Sequence, residues 1–145
     1  MKILFLDIDG VCNSANYARE RAKPGMLDID PDTVPIIRRI IEETGCSVVL
    51  SSSWRLDKHL RDDVREHIVK FIDVTPDNRG LTDRGCEVIA WMKQHPEVTT
   101  HAILDDSTDF HKDQPFFKTD WQTGITEQVA DKVIAHLNGG SHATK

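Results

Sequence analysis

A short hydrophobic run at the N-terminus ends in two acids and a glycine, and it constrains the fold more than any other stretch. Ile3 to Leu6 and then Ile8 are branched or aromatic, and the run closes in Asp7-Ile8-Asp9-Gly10. A run of this length and composition predicts a buried strand, and the glycine allows a sharp turn directly after it. Because side chains alternate along a strand, both carboxylates should leave the sheet on the same side.

Two carboxylates this close repel each other unless a cation or a shared proton relieves them. In open α/β sheets, ligands bind beyond the carboxyl ends of the strands. We therefore interpret the two acids as part of a binding site rather than as a strand end facing solvent. Two later hydrophobic runs are followed by polar groups in the same way: 46–50 precedes Ser51-Ser52-Ser53, and 101–104 precedes Asp105-Asp106. Hydroxyls between a strand and a helix occur in turns and also in phosphate sites.

Hydrophobic periodicity between these runs predicts helices, which gives the alternating order of an α/β protein. We expect helices over 32–44, 58–69, 83–94 and 126–137, short strands over 71–74 and 116–119, and a loop over 11–29 that holds one helical turn. Asp30 or Asp32 should cap the first of the helices. The alternation predicts a mainly parallel sheet in a three-layer arrangement. No repeat or linker interrupts it, so we expect one domain over 1–138 and a flexible tail over 139–145.

The chain of 145 residues is long enough to bury a core, and its net charge of −6 argues against non-specific binding to nucleic acid. A local basic groove remains compatible with that charge. The three cysteines, Cys12, Cys46 and Cys86, are far apart, and neither they nor the histidines show the spacing of a metal site. The N-terminal run is too short and too acidic for a signal peptide or a membrane span. These features favour a cytoplasmic protein with reduced thiols and no membrane partner.

Three motifs together resemble those of the haloacid-dehalogenase-like (HAD) phosphohydrolase superfamily: Asp7-Ile8-Asp9-Gly10-Val11, the hydroxyls after the second strand, and Leu104-Asp105-Asp106. The resemblance covers almost the whole chain and keeps the order of the family. It implies a three-layer α/β/α Rossmann-like fold. A finer pattern is similar to the HAD domains found in RNA-repair proteins. It comprises Ser-Ser-Ser-Trp-Arg at 51–55, the segment from Arg84 to Trp91, Ile103-Leu104-Asp105-Asp106, and Gly124-Ile125-Thr126.

The resemblance implies roles for the acids. Asp7 would attack phosphorus to give an aspartyl-phosphate, and Asp9 would protonate the leaving oxygen and then activate water. Mg²⁺, a hard ion that suits carboxylate and phosphate oxygens, would be held by Asp7, the Asp9 carbonyl and Asp106. Asp105 would orient the site from further out.

Phosphate binding is the point at which the chain departs from the family. A lysine usually precedes the last motif, and no lysine stands at the start of the predicted helix over 83–94. An arginine can clamp a phosphate with two hydrogen bonds and could replace it. The phosphate-binding candidates are Arg84, with Arg55 and less favourably Arg79 as rivals; Ser52, with Ser51 as the alternative; and Gly10.

The spacing between the motifs leaves no room for a cap domain, so the predicted site is open and admits large substrates. We expect a phosphomonoester at a polynucleotide end, the 3′ end more than the 5′ end, with Arg19, Arg21 and Lys23 near its backbone phosphates. Trp54 and Trp91 are expected in the core. Three alternatives stay open: a small-molecule or nucleotide phosphatase, a receiver-like phosphoacceptor, and a non-catalytic HAD scaffold.

Overall fold

The computed structural model describes residues 1–25, 28–77 and 82–140. Its strands are β1 (Lys2–Leu6), β2 (Ser47–Leu50), β3 (Asp73–Val74), β4 (Thr100–Asp105) and β5 (Phe116–Lys118). Its helices are α1 (Ala15–Glu20), α2 (Val34–Thr44), α3 (Lys58–His67), α4 (Arg84–Lys93) and α5 (Glu127–Leu137), with a 3-10 turn at Ser53–Leu56. The strands form one sheet in the order β3-β2-β1-β4-β5, and all paired neighbours are parallel. The predicted parallel α/β fold is confirmed.

The central strand β1 buries side chains on both faces of the sheet, as its hydrophobic run predicts. Leu4 and Leu6 belong to the core cluster that includes the buried faces of α2, α3 and α5. Ile3 and Phe5 point to the opposite face and join the cluster formed with α4. There the Phe5 ring meets the Trp91 ring edge-on, with centroids 5.4 Å apart. Period-two alternation therefore produces the three layers.

The start of α2 differs from the sequence prediction. Thr33 occupies the N-cap position without a side-chain cap bond, so the expected cap at Asp30 or Asp32 is wrong. Pro35 is the second residue of this helix and has no N–H, which removes one of the two donors that a cap normally satisfies. The Asp30 carboxylate instead accepts the N–H of Asp32 at 3.0 Å and shapes the preceding turn. The expected helical turn within 11–29 is α1, capped by Ser14.

β1 lies between β2 and β4 in the sheet. From β1 the chain first adds β2 and β3 on one side and then β4 and β5 on the other, so the strand order reverses at β1. Such a reversal opens a crevice at the carboxyl ends of the strands. Main-chain bonds extend the pairing one residue beyond the strands: the N–H of Asp7 donates to Leu104 O at 3.0 Å, and that of Ser51 donates to Leu6 O at 2.9 Å. The residues that follow β1, β2 and β4 therefore meet at one edge.

Arg79 and residues 141–145, the greater part of the predicted tail, lie outside the described residues. Gly139 and Gly140, which follow α5, donate their N–H groups to carbonyls of the last helical turn. In the described part of the chain, no helix is both long enough and apolar enough to cross a membrane.

Candidate active site

Three carboxylates gather at the carboxyl edge of the sheet. The side chain of Asp7 follows β1, and those of Asp105 and Asp106 lie at the end of β4. One oxygen from each lies within 4.8 Å of the others. The parallel pairing of Leu6 with Leu104 sets this proximity, because the next residue along each strand faces its counterpart across the crevice. Asp7 and Asp105 are buried to 1% and 0% exposure, so the acids are withdrawn from bulk water.

Gly10 makes room for Asp106. Its φ of +80° lies in the left-handed region, and a Cβ built on it would overlap the Asp106 carboxylate and lie 2.8 Å from Asp106 Cβ. The surrounding contacts fix this turn: the Gly10 N–H donates to Asn13 Oδ1 at 2.9 Å, and its carbonyl accepts the hydroxyl of Thr119 at 2.7 Å. The absence of a side chain at Gly10 therefore allows Asp106 to join the acid cluster. A contact between Gly10 and phosphate would be a second, separate role.

Arg84, the first residue of α4, supplies a positive charge to the acids. Its Nη1 donates to Asp105 Oδ2 at 2.7 Å and lies 3.3 Å from Asp7 Oδ1. The hydrogen bond is directed at Asp105, so the buried Asp7 Oδ1 accepts none from the described residues. Burial alone would lower the pKa of Arg84, but the two carboxylates raise it above its ordinary value. Arg84 therefore stays charged beside Asp7, the location expected of the missing lysine.

The charge balance of the cluster favours a further cation. Burial first, and then repulsion by Asp105, raise the pKa of Asp7 to about 8, although Arg84 acts in the opposite direction. Burial and Asp105 also raise the pKa of Asp106. One guanidinium faces three carboxylates, which leaves an excess of negative charge in a desolvated place. An orphaned carboxylate oxygen and hard oxygen donors on three sides fit a divalent cation.

Asp9 stands apart from this cluster and is exposed. Its Oδ1 accepts hydrogen bonds from Asn13 Nδ2 at 2.9 Å and from the indole N–H of Trp54 at 3.0 Å. Trp54 is buried, as expected, but its polar edge also orients Asp9. The sequence reasoning missed both partners. Asn13 could have been predicted as a partner, because its amide stands only three residues after the turn glycine. Nothing in the sequence links Trp54 to Asp9, which lies 45 positions away.

The serines after β2 differ in their contacts. Ser52 Oγ accepts the N–H of Trp54 at 3.1 Å and caps the 3-10 turn. Ser51 Oγ is buried and has no hydrogen-bond partner among the described residues. The Ser51 hydroxyl is therefore the one whose hydrogen bonds are not used within the described part of the chain. The sequence preference for Ser52 stays a prediction, and the geometry favours its alternative.

Arg55 lies outside the acid cluster. It is 7% exposed and donates to the carbonyls of Ser52 at 2.9 Å and Thr75 at 3.0 Å. Its Nη2 also pairs with the Glu87 carboxylate at 3.2 Å. These bonds join the turn after β2 to the segment after β3 and to α4. The guanidinium is thereby engaged in the fold, and Arg84 alone of the two arginines contacts the predicted nucleophile.

The basic residues after the first motif are only partly free for a substrate. Arg21 pairs with Asp32 at 2.8 Å and lies 3.3 Å from Asp30. Arg19 is far more exposed, with 66% of its side chain accessible and Glu20 at 3.6 Å. Of the basic residues expected near the backbone phosphates, Arg21 is therefore engaged within the chain, whereas Arg19 keeps most of its side chain accessible.

The family described as the HAD domain in Swiss Army Knife RNA repair proteins matches residues 3–130. The chain belongs to this family. No curated protein and no solved structure gives a significant match. The HAD superfamily generally uses Mg²⁺, and the acidic cluster at the end of β1 and β4 supplies the hard oxygen donors that this ion requires.

Proposed function

We propose that this HAD domain is a Mg²⁺-dependent phosphomonoester hydrolase that works through an aspartyl-phosphate on Asp7. The observation that carries the proposal is the orphaned, buried Oδ1 of Asp7 between two acids and the guanidinium of Arg84. A structural carboxylate would have its hydrogen bonds satisfied inside the fold. An unsatisfied one with a strongly raised pKa, at the ligand-binding edge of the sheet, is typical of a reactive group.

The first chemical step forms a bond from the Asp7 carboxylate to phosphorus and breaks the bond from phosphorus to the leaving oxygen. Asp9 donates a proton to that oxygen, and its orientation is set by Asn13 and Trp54. In the second step Asp9 takes a proton from water, the water oxygen bonds to phosphorus, and Asp7 is released with inorganic phosphate. The Ser51 hydroxyl and the N–H groups of the following turn would hold the phosphoryl oxygens.

A Mg²⁺ ion at Asp7, Asp105 and Asp106 would neutralise the phosphate and lower its repulsion from the nucleophile. The chain itself aims Asp7, because Arg84 holds the Asp7–Asp105 pair and Gly10 lets Asp106 approach. A bound cation would favour the ionised, nucleophilic form of Asp7, whose pKa burial and Asp105 raise in its absence. Asp105, buried and bonded to the N–H of Ser107 at 2.8 Å, braces the cluster.

For the substrate we propose a phosphate at a polynucleotide end, preferentially the 3′ end. The family context of RNA repair supports this, as does the single sheet without a second one over it in the described residues. A further feature is Trp121, which is 56% exposed on the loop after β5. Its main-chain carbonyl accepts the N–H of Ala15, so the loop that carries this tryptophan lies beside the segment that follows the first motif. Exposed aromatic rings stack on nucleic-acid bases.

The experiment is a phosphate-release assay on oligonucleotides with a 3′- or 5′-phosphate, the matching 3′-mononucleotide and a phosphopeptide, each with Mg²⁺ or EDTA. Wild type should release phosphate only with Mg²⁺, with the highest kcat/KM on the 3′-phosphorylated oligonucleotide, and Asp7→Asn should be inactive. Asp113→Asn, an exposed acid outside the cluster, is the matched control and should keep its activity.

Two variants test the substrate contact. Because stacking on one base contributes about 1–3 kcal/mol, Trp121→Ala should raise KM for the oligonucleotide by about 5-fold or more, while Trp121→Phe should retain binding. Equal kcat/KM for the mononucleotide and the oligonucleotide would overturn the polynucleotide assignment. Turnover in EDTA or by Asp7→Asn would overturn the mechanism, a stable phosphoprotein would favour the receiver-like alternative, and binding without turnover would favour the scaffold.

A further inference from the structure

Three side chains with different donor atoms meet on the flank of α4, apart from the acid cluster. They are the carboxylate of Asp83, the thiol of Cys86 and the imidazole of His111, and one donor atom from each lies within 4.8 Å of the others. We propose that Asp83, Cys86 and His111 form a second metal site, for a thiophilic divalent cation of the Zn²⁺ class. Residue spacing did not indicate this site, because the histidine lies 25 positions after the cysteine.

Two separations between donor atoms, both measured from the His111 imidazole, match a tetrahedral ion. His111 Nε2 lies 3.6 Å from Cys86 Sγ and 3.6 Å from Asp83 Oδ1. Bonds of about 2.3 Å from zinc to sulfur and about 2.0 Å to nitrogen or oxygen, opened to the tetrahedral angle, separate the donors by roughly 3.3–3.6 Å. The imidazole therefore stands at the spacing that an ion shared with either partner requires, and the donor atoms of Asp83 and Cys86 lie within 4.8 Å of each other.

The donor set selects the kind of ion. Thiolate and imidazole are the ligands of zinc and related transition metals, whereas Mg²⁺ requires oxygen donors and keeps much of its water. The side chains of Asp83 and His111 are each 39% exposed, which leaves water access for a fourth ligand. We therefore expect zinc at this site and Mg²⁺ at the acid cluster, because the donor atoms of the two sites differ in softness.

Main-chain and amide bonds hold the two halves of the site together. The Asp83 carboxylate caps α4 by accepting the Cys86 N–H at 2.7 Å. The His111 N–H donates to Gln114 Oε1 at 2.7 Å, and the same amide donates from Nε2 to the carbonyl of Gly85 at 3.0 Å. A Cβ on Gly85 would lie 2.9 Å from His111 Cδ2, so this glycine is what allows the imidazole to approach the helix. These bonds hold the segments that carry the three donor atoms close together before a metal binds.

The main rival is a reactive thiol activated by the imidazole. Cys86 Sγ and His111 Nε2 are 3.6 Å apart, so a thiol that donates to the imidazole fits the same contact. The carboxylate of Asp83 would repel a thiolate that has no metal beside it, whereas it offers a third donor atom to a bound cation.

Occupancy of the site would tie the loop after β4 to the first turn of α4. Arg84 stands between Asp83 and Cys86, and its N–H already donates to Asp109 Oδ2 at 3.1 Å. A metal at this position would fix the helix end that presents Arg84 to the acid cluster. It would act as a structural clamp next to the proposed catalytic site, and it does not depend on whether the phosphatase proposal holds.

The test is zinc binding by tag-free protein, measured by competition with a chromophoric chelator, together with the absorption spectrum of the Co²⁺ form. Wild type should bind one zinc ion, and Co²⁺ should give tetrahedral bands with sulfur-to-cobalt charge transfer. Loss of a residue that only supports a metal ligand costs about 10- to 100-fold in affinity, so Cys86→Ser and His111→Gln should each lose about 100-fold or more. Saturating Mg²⁺ should not displace the zinc.

Two matched variants locate the ion. His95→Gln removes an imidazole that also lies beside acids, Glu97 at 3.1 Å and Asp73 at 4.0 Å, and it should leave zinc affinity unchanged. Asp106→Asn alters the acid cluster and should also leave it unchanged. Circular dichroism of each variant establishes that it is folded. Wild-type zinc affinity in folded Cys86→Ser and His111→Gln, or a cobalt spectrum without charge transfer, would overturn the proposal.

Discussion

Replacement of Arg55 provides the sharpest distinction between a substrate-binding arginine and a structural one. Its guanidinium makes hydrogen bonds to four carbonyls, those of Ser51, Ser52, Thr75 and Pro76, at 2.9–3.4 Å, and pairs with the buried Glu87 carboxylate. Arg55→Met keeps an unbranched side chain but removes all of these bonds. We expect the variant to lose stability while the folded fraction keeps its catalytic groups in position.

The size of the loss follows from burial. The side chains of Arg55 and Glu87 are only 7% and 10% exposed, so water cannot replace the lost contacts. Breaking a buried ion pair costs about 3–5 kcal/mol, because the remaining charge loses its partner in a desolvated place. For a chain of this size, each kcal/mol lowers the melting temperature by about 2–4 °C, so Arg55→Met should melt roughly 6–20 °C below wild type.

Calorimetry and phosphate release from the same samples, assayed well below the melting temperature, measure both quantities. The double variant Arg55→Met/Glu87→Met should recover part of the loss, because neither charge is then left alone. Arg84→Met should lose activity even in its folded fraction, because it removes the guanidinium beside Asp7. A melting temperature for Arg55→Met within about 2 °C of wild type, with a raised KM, would refute the structural role and return Arg55 to the substrate site.

Three further predictions concern the acid cluster and the neighbouring Asp9. Gly10→Ala should abolish Mg²⁺-dependent activity by displacing Asp106, whereas Gly45→Ala, with a φ of +71° and no described atom within 4 Å of its Cβ, should cost only about 1–2 kcal/mol of stability in denaturation; activity in Gly10→Ala would contradict this. Asp7→Asn should melt higher than wild type in EDTA, and more so at pH 8 than at pH 5. The folded acid keeps its proton up to about pH 8 and the unfolded one loses it near pH 3.8, so wild type loses stability as pH rises through this window; an equal difference at both pH values speaks against it. Asp9→Asn should slow alkyl phosphates more than activated aryl phosphates, since only the former need a proton donor, and parallel losses in kcat would exclude that role.

The order of strands and helices could be predicted because the signals are local. The run before Asp7 is apolar at every position that a two-sided strand must bury, and Asp83 caps α4 within three residues of its partner N–H. The carboxyl ends of parallel strands share one edge of the sheet, so the acids after β1 and β4 could be assigned to that edge. The resemblance to the HAD superfamily then assigned them to one site.

Contacts between residues far apart in the chain could not be predicted from the sequence, and the two arginines illustrate why. Arg55 and Arg84 carry the same group and were both phosphate-binding candidates, yet one guanidinium is buried against backbone carbonyls and the other reaches Asp7. Their chemistry is identical, so only the packing around each could separate them. The same limitation hid the Trp54 bond to Asp9 and the approach of His111 to Cys86.

Local sequence patterns set the alternation of elements, the parallel sheet and the presence of carboxylates beyond β1 and β4, because hydrophobic period and turn residues act over a few positions. Which polar groups are engaged within the fold and which remain for a ligand became known only from the packing of the chain. That choice depends on burial and on hydrogen-bond partners tens of residues away: Ser52 is engaged by its turn, whereas Ser51 Oγ and Asp7 Oδ1 are buried without a hydrogen bond from the described chain.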